Sequence, residues 1–239
     1  MGANQQTSVP AFVTGQVLTA QQVTEINTGI PVFADTTARD AAFNGTGEKV
    51  LAEGQIAYLE DTNVVQFYTG ATWATLGPTG LELVSTTTIG TTVASVTVTG
   101  AFSSTYDNYI VNVIGGAASG TPTYLNLTLG ATTTGYYSSE IYGKYDSNTL
   151  NMISRANHTA FIGGAVSTDN IALSYRLFGP NLAKTTHFMT EAPLARTAGD
   201  NWSYAIGYLN DTTQYTAFTI TTVTGTLTGG TIRVYGYRN

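Results

Sequence analysis

The sequence contains no cysteine, and only 10% of its 239 residues are charged, against about 25% in an average soluble protein. Without cysteine the chain can form neither disulfides nor thiolate metal sites. So few charges exclude a coiled coil, and an aromatic content of 11% argues against a disordered chain. No apolar run approaches the roughly 18 residues of a membrane helix, and residues 1–30 lack a secretion signal, so we expect no membrane insertion.

Threonine, glycine and tyrosine take the place of the missing charges, with about 44, 26 and 15 copies. Threonine and tyrosine favour strands, so the composition predicts a mainly β protein. The net charge of −6 is uneven: residues 1–80 hold seven acids and two bases, and residues 81–239 hold eight and seven. No basic cluster exists, so we expect no nucleic-acid partner.

Residues 1–30 contain one short helix signal. Thr19 is the candidate N-cap, with Gln22 at the capping-box position. Leu18, Val23 and Ile26 form an apolar stripe, which a helix this short must pack against another surface. We therefore predict an N-terminal anchor over 1–30, with these three residues as contacts to a partner or to another copy.

Residues 31–77 predict a small neck that contains a second short helix and a meander of three strands. Asp35 or Thr37 is the candidate cap of the helix. Tyr58, Tyr68 and Trp73 supply more apolar surface than three short strands bury by themselves, so we predict that they contact another copy of the chain.

Residues 81–239 follow a glycine–proline linker at 77–80 and alternate with the period of two that is typical of strands. About eight strands are indicated, at 83–89, 93–99, 109–114, 125–129, 171–177, 202–208, 218–220 and 232–234. Short turns rich in Gly, Asn and Asp separate them. This pattern predicts a C-terminal antiparallel β-sandwich or jelly roll, the head of the molecule.

Residues 17–23, 31–43, 54–62 and 65–73 carry a recognisable order: a short helix, then G-x-x-x-Y-x-x-D, then Y-x-G-x-x-W. This order resembles the attachment and neck region of fibres, spikes and minor tail proteins of tailed bacteriophage virions. Residues 229–237 resemble the last strand of the β-sandwich heads that such proteins often carry. The resemblance implies a homotrimer located in the virion, with its N-terminus bound to other virion proteins of the tail or capsid.

Residues suited to catalysis are sparse. His158 and His187 have no metal-ligand spacing, and the acidic residues of the head, among them Glu140 and Glu191, each lie isolated in turn-like settings. We therefore predict no catalytic residue, no metal and no cofactor, and we regard a polysaccharide depolymerase as the less favoured alternative.

Four tyrosines crowd one turn-rich segment: Tyr136, Tyr137, Tyr142 and Tyr145. Tyrosine offers a stacking face and a hydroxyl, so exposed copies would predict a receptor-facing site for host-surface glycans. The interpretation that we favour is that they fill the sandwich core and line a trimer seam. The sequence thus predicts a non-enzymatic virion protein, a tail fibre, spike or minor tail protein for host attachment, with a capsid decoration protein or head fibre as the alternative.

Overall fold

A computed structural model of the protein describes residues 7, 9–27, 29–77, 80–120, 123–145, 148–195 and 201–237. The chain divides into two compact units, Met1–Pro78 and Thr79–Asn239, and the division falls inside the linker segment 77–80. The chain as a whole is mainly β, and its two helices are short, so the predicted fold class is confirmed. Within the described residues, no helix has the length and apolar character needed to cross a bilayer.

The N-terminal unit contains two helices and one four-stranded sheet of order β1-β2-β3-β4. Its elements are α1 (Ala20–Asn27), β1 (Val32–Phe33), α2 (Thr36–Ala41), β2 (Ile56–Leu59), β3 (Val64–Tyr68) and β4 (Trp73–Thr75). The predicted capping box of α1 is confirmed: the Gln22 N–H donates to Thr19 Oγ1 at 3.2 Å, and Gln22 Oε1 accepts from the Thr19 N–H at 3.0 Å. Asp35 caps α2 by accepting from the Ala38 N–H at 2.8 Å. The parallel strand β1 was not predicted.

The small unit buries a core of its own, which the sequence did not lead us to expect. Phe33, Phe43 and Leu59 are buried, and Trp73 packs against them. The guanidinium of Arg39, on α2, lies 4.6 Å from the centre of the Trp73 ring. Trp73 is therefore covered within its own protomer, whereas the contact of Tyr58, on the other side of the sheet, with another copy stays a prediction.

The described residues of the head form fourteen strands. They are β5 (Leu81–Thr88), β6 (Ser95–Val98), β7 (Asn108–Ile114), β8 (Ala117–Ala118), β9 (Thr123–Leu129), β10 (Tyr136–Lys144), β11 (Leu150–His158), β12 (Phe161–Val166), β13 (Ala172–Phe178), β14 (Thr186–Ala195), β15 (Asn201–Leu209), β16 (Phe218–Thr222), β17 (Leu227–Thr228) and β18 (Thr231–Tyr237). Strands β10, β11, β12 and β14 were not predicted, because their alternation is interrupted by polar residues and glycines.

Two antiparallel sheets form the sandwich. The large sheet has eight strands in the order β11-β10-β15-β14-β13-β7-β18-β5, and the small sheet has four in the order β12-β9-β16-β6. Strands β8 and β17 form a separate pair. Strand β12 lies across β13, β14 and β15, whereas the edge strand β11 is largely exposed on both of its sides. The large sheet therefore extends beyond the cover that the small sheet provides.

The core between the sheets is aromatic. The rings of Phe161 and Phe188 stack with 4.0 Å between their centres, and Tyr136 meets Phe161 edge-on at 4.7 Å. Two buried hydroxyls join the sheets: Tyr175 donates to the Leu125 carbonyl at 2.9 Å, and Tyr136 accepts from the Leu129 N–H at 2.8 Å. Burial raises the pKa of both tyrosines, that of Tyr175 well above 10.0.

Candidate functional site

Strand β15 places its largest side chains on the outer side of the large sheet. The buried residues of this strand are Ser203, Ala205 and Leu209. The side chains that alternate with them point away from the core: Trp202, Tyr204, Ile206 and Tyr208. Alternation by itself would assign this larger, more apolar half to the core. In β15 the smaller side chains are buried instead, and the larger ones face outward.

The reversal follows from the volume of the core beneath β15. The stacked rings of Phe161 and Phe188 occupy this space, so the inner positions 203, 205 and 207 hold small residues, and the larger Leu209 lies at the end of the strand. A Cβ placed on Gly207 would lie 2.0 Å from the Tyr137 carbonyl oxygen and 2.6 Å from the Phe188 ring. Protein interiors are close-packed, so the large half of β15 has no place inside.

The neighbouring strands extend this outer surface. We call the outer side of β10, β11, β13, β14 and β15 the apolar face. Cross-strand pairing brings its side chains together, with Ile206 next to Met189 on β14 and Ser139 on β10. Its most exposed apolar side chains are Leu150, Met152 (72% exposed), Ile141, Ile206 (49%), Tyr208 and Phe178. Contiguous exposed apolar patches mark interaction surfaces in soluble proteins.

Besides a smaller hollow of about 350 Å³ that includes Ser139, Ser154 and Arg155, two larger ones indent the apolar face. One of about 520 Å³ lies between Phe178 and Tyr208, with Met189 and Ile206 in its lining. The other, of about 510 Å³, lies between Ile114 and Trp202. Both open outward and are lined mostly by carbon, which suits apolar side chains of a partner better than a hydroxyl-rich ligand.

Aromatic stacking orders the centre of the apolar face. The rings of Tyr137 and Tyr208 lie 5.1 Å apart and nearly parallel, at 8°. The His187 ring is 6.2 Å from Tyr208 on the other side. The face carries one ion pair, in which Arg176 Nη2 contacts Glu191 Oε1 at 3.4 Å, so its charges compensate each other locally.

The outer side of the small sheet has a different chemistry. We call it the hydroxyl face; its outward side chains on β6, β9 and β16 are Ser95, Thr97, Asn126, Thr128, Thr219 and Thr221. Thr97 and Thr219 lie opposite each other with 2.9 Å between their hydroxyl oxygens. None of these six side chains is apolar or charged, so water can solvate the face without a partner.

The four tyrosines predicted to be receptor-facing have different environments. Tyr136 is 1% exposed and belongs to the core, so the receptor-facing prediction was wrong for it and the core interpretation was right. Tyr137 lies on the apolar face, and Tyr142 is half-buried on the inner side of β10 near Glu140. Tyr145, just after β10, is 60% exposed and is the most exposed of the four.

The residues predicted as anchor and neck contacts also differ in exposure and in the side of the sheet on which they lie. Leu18 is 41% and Val23 49% exposed on or beside α1, whereas the side chain of Ile26 lies outside the described residues. Tyr58 lies on the outer side of the neck sheet, and its hydroxyl contacts Asn63 Oδ1 at 2.9 Å. Tyr68 and Trp73 instead meet each other on the inner side, with ring centres 5.5 Å apart. The sequence analysis missed Ile56 and Phe67, which are exposed beside Tyr58.

The two carboxylates Glu140 and Glu191 do not form a catalytic pair. Glu140 and Glu191 lie in strands rather than in turns, and they point to opposite sides of the large sheet. Glu140 is 2% exposed and pairs with Arg155 at 2.8 Å on the inner side of the sheet. Desolvation, and then the charge of Glu140, raise the pKa of the neighbouring Tyr124. Among the described residues, no group of three His, Cys, Asp or Glu side chains is placed to hold a metal ion.

No protein-family model, no curated protein and no solved structure matches this chain.

Proposed function

We propose that the chain is a non-enzymatic structural protein of a tailed phage virion: a homotrimeric tail fibre, spike or minor tail protein. In this proposal the N-terminal unit attaches to other virion proteins, and the β-sandwich head is displayed for contact with the host surface. The observation that carries the proposal is the apolar face. A head with a large water-facing apolar surface and no assembled group of titratable side chains is suited to assembly rather than to turnover.

Two further observations support the proposal. Residues 17–73 carry the order of elements that resembles phage attachment and neck modules, and they fold into a compact unit separate from the head. In that unit Leu18 and Val23 leave apolar surface uncovered on and beside α1. This surface is available to a virion partner.

Localisation in the particle is the direct test. Gold-labelled antibodies against the head, applied to intact virions in the electron microscope, should mark the tail or its fibres. Label on capsomers alone would contradict the tail location and favour the capsid decoration protein or head fibre. Label on neither structure would overturn the virion role.

Attachment is tested by a paired substitution on α1. Leu18→Gln with Val23→Gln should leave a folded protein that no longer enters particles, because the apolar contact is lost. Val50→Gln is the matched control, since Val50 is 73% exposed in the same unit but outside α1. Truncation is a poorer design: the Val9 carbonyl accepts from the Lys49 N–H at 2.7 Å, so removing residues 1–30 would damage the neck. Normal incorporation of the double variant would contradict the anchoring role.

Contact with the host surface is tested by the binding of purified protein to host cells. Tyr145, the exposed tyrosine, is the candidate for glycan stacking, and purified labelled protein should bind host cells. Tyr145→Ala should weaken that binding several-fold, whereas Tyr142→Phe, which keeps the half-buried ring, should not. Absence of binding by the wild type would favour a purely architectural role.

A further inference from the structure

The apolar face is built into the packing of the head rather than scattered over its surface. The core beneath the middle of β15 holds small residues at positions 203, 205 and 207, so Trp202, Tyr204 and Ile206 lie on the outside. Exposing these side chains to water lowers solubility and favours association, since burying an apolar side chain contributes about 1.5–3 kcal/mol. A strand with this pattern is stable in water only when something covers it.

The area of the apolar face is that of a protein–protein interface. Five strands spaced about 4.8 Å apart, each roughly 28 Å long, give a flat area on the order of 700 Å². Side chains that project from the sheet raise the accessible area above this flat value. A standard stable interface buries about 800 Å² on each partner, so the face is large enough for one complete contact.

The chemistry of the face favours a protein surface of the same kind. Its single ion pair, Arg176 with Glu191, is internal, so burial against another copy leaves no net charge stranded. Aromatic residues and Met, which are enriched in interface cores, dominate it, with Met152, Met189 and Tyr208 as examples. Hydrogen-bonding side chains are a minority in the lining of the two hollows, with Asn112, Ser174 and Glu191 in one and His187 in the other, so the hollows suit a glycan less well than an apolar side chain.

We propose that the apolar face is covered by the head of another copy of this chain, with Ile206 and Tyr208 at the centre of the contact. The proposal rests on the self-association that the proposed function includes, and it names the surface responsible. It places the contact between copies on the outer side of the large sheet rather than at Tyr68 and Trp73, which pack within their own protomer. The hydroxyl face stays in water.

The test uses single cysteines in a chain that has none of its own. Ser139→Cys lies on the apolar face, next to Ile206, and Thr97→Cys lies on the hydroxyl face. The two positions are matched: both are exposed strand residues whose hydroxyl contacts one cross-strand hydroxyl, at 3.3 Å and 2.9 Å. The readout is the rate at which each thiol of the full-length native protein reacts with a maleimide.

We expect the cysteine at 139 to react at least tenfold more slowly than the cysteine at 97 in the native protein, and equally fast in urea. Adding Ile206→Arg to the Ser139→Cys protein should raise the rate at 139 to that at 97, because a buried guanidinium separates the copies. Equal native rates would overturn the proposal, as would protection that persists in the Ile206→Arg protein while circular dichroism shows it folded.

Light scattering separates the failure of this inference from the failure of the proposed function. A wild-type mass of about 75 kDa, three times the 25.2 kDa of the chain, is expected. A mass of 25.2 kDa would overturn the contact between copies, yet localisation in the virion would remain a separate result. A trimer in which the cysteine at 139 reacts as fast as the one at 97 would show that the copies contact each other through another surface, and it would overturn this inference.

Discussion

The two outer surfaces of the sandwich are made by the same two-residue alternation and have opposite chemistry. On β16 the large residues Phe218 and Ile220 point into the core, and threonines face water. On β15 the small residues point inward, and the large ones face outward. The difference teaches that alternation determines which residues share a side, whereas the volume of the core determines which side is buried.

The comparison also separates two ways in which a low-charge protein meets water. The hydroxyl face is solvated by threonine and serine hydroxyls and needs no partner. The apolar face has few charges and hydroxyls among its large apolar side chains, and we infer that another copy covers it. The predictions below compare substitutions in one environment of the head, either the core or one of the outer faces, with matched controls in another.

The largest effect is expected at the ion pair on the inner side of the large sheet, where that sheet outreaches the small one. Arg155→Met leaves Glu140 buried without its partner and should lower the free energy of unfolding by about 3–5 kcal/mol, measured by urea denaturation. The control is Arg176→Met on the outer side of the same sheet. The exposed Arg176–Glu191 pair should contribute less than about 1 kcal/mol. Similar losses for both variants would contradict the assignment of inner and outer sides.

A smaller effect is expected at the hydroxyls that join the two sheets. Tyr136→Phe leaves the buried Leu129 N–H without its partner and should cost about 1–3 kcal/mol in urea denaturation at neutral pH. Tyr137→Phe, one position along on the outer side, should change stability by less than about 0.5 kcal/mol. An equal cost for the two would mean that the sheets are not tied through Tyr136.

The same tyrosines predict a loss of stability in alkali. Burial raises the pKa of Tyr136 and Tyr175 in the folded state, so the unfolded chain releases these protons first, near pH 10.0. Their contribution is complete below pH 10 and falls as the pH rises above it, by about 1.4 kcal/mol per pH unit for each group. Thermal melts from pH 9 to 11 should therefore fall less steeply for Tyr136→Phe than for the wild type. Parallel curves would contradict this linkage.

The smallest effect is expected on the hydroxyl face. Thr97→Val removes one exposed contact between hydroxyls and should change the free energy of unfolding by less than about 0.5 kcal/mol. Ile206→Thr makes the reverse exchange on the apolar face. It should change the stability of the protomer little but lower the mass measured by light scattering in dilute solution. A loss of mass in the Thr97→Val protein would reverse our assignment of the two faces.

The sequence predicted the fold class well, because the signals are local. Leu125, Leu127 and Leu129 are buried as their alternation indicates, and Thr19 caps its helix. The candidate site was missed for a non-local reason: the outward turn of Ile206 depends on Phe161 and Phe188, which reach β15 only after the strands have assembled. Tyr136 illustrates the same limit, since its burial depends on Phe161 above it.

Strand β18 has a consequence for how the molecule is made. It is inserted between β7 and β5, so the first strand of the head has its only ladder partner in residues 231–237. During synthesis, the N-terminal unit is complete about 150 residues before strand β18 is made. At roughly 5–20 residues per second, the N-terminal unit has about 8–30 seconds to fold before that strand is made. Strand β5 therefore waits without a ladder partner while the strands of the apolar face are synthesised, and the large sheet is completed only when β18 enters between β7 and β5.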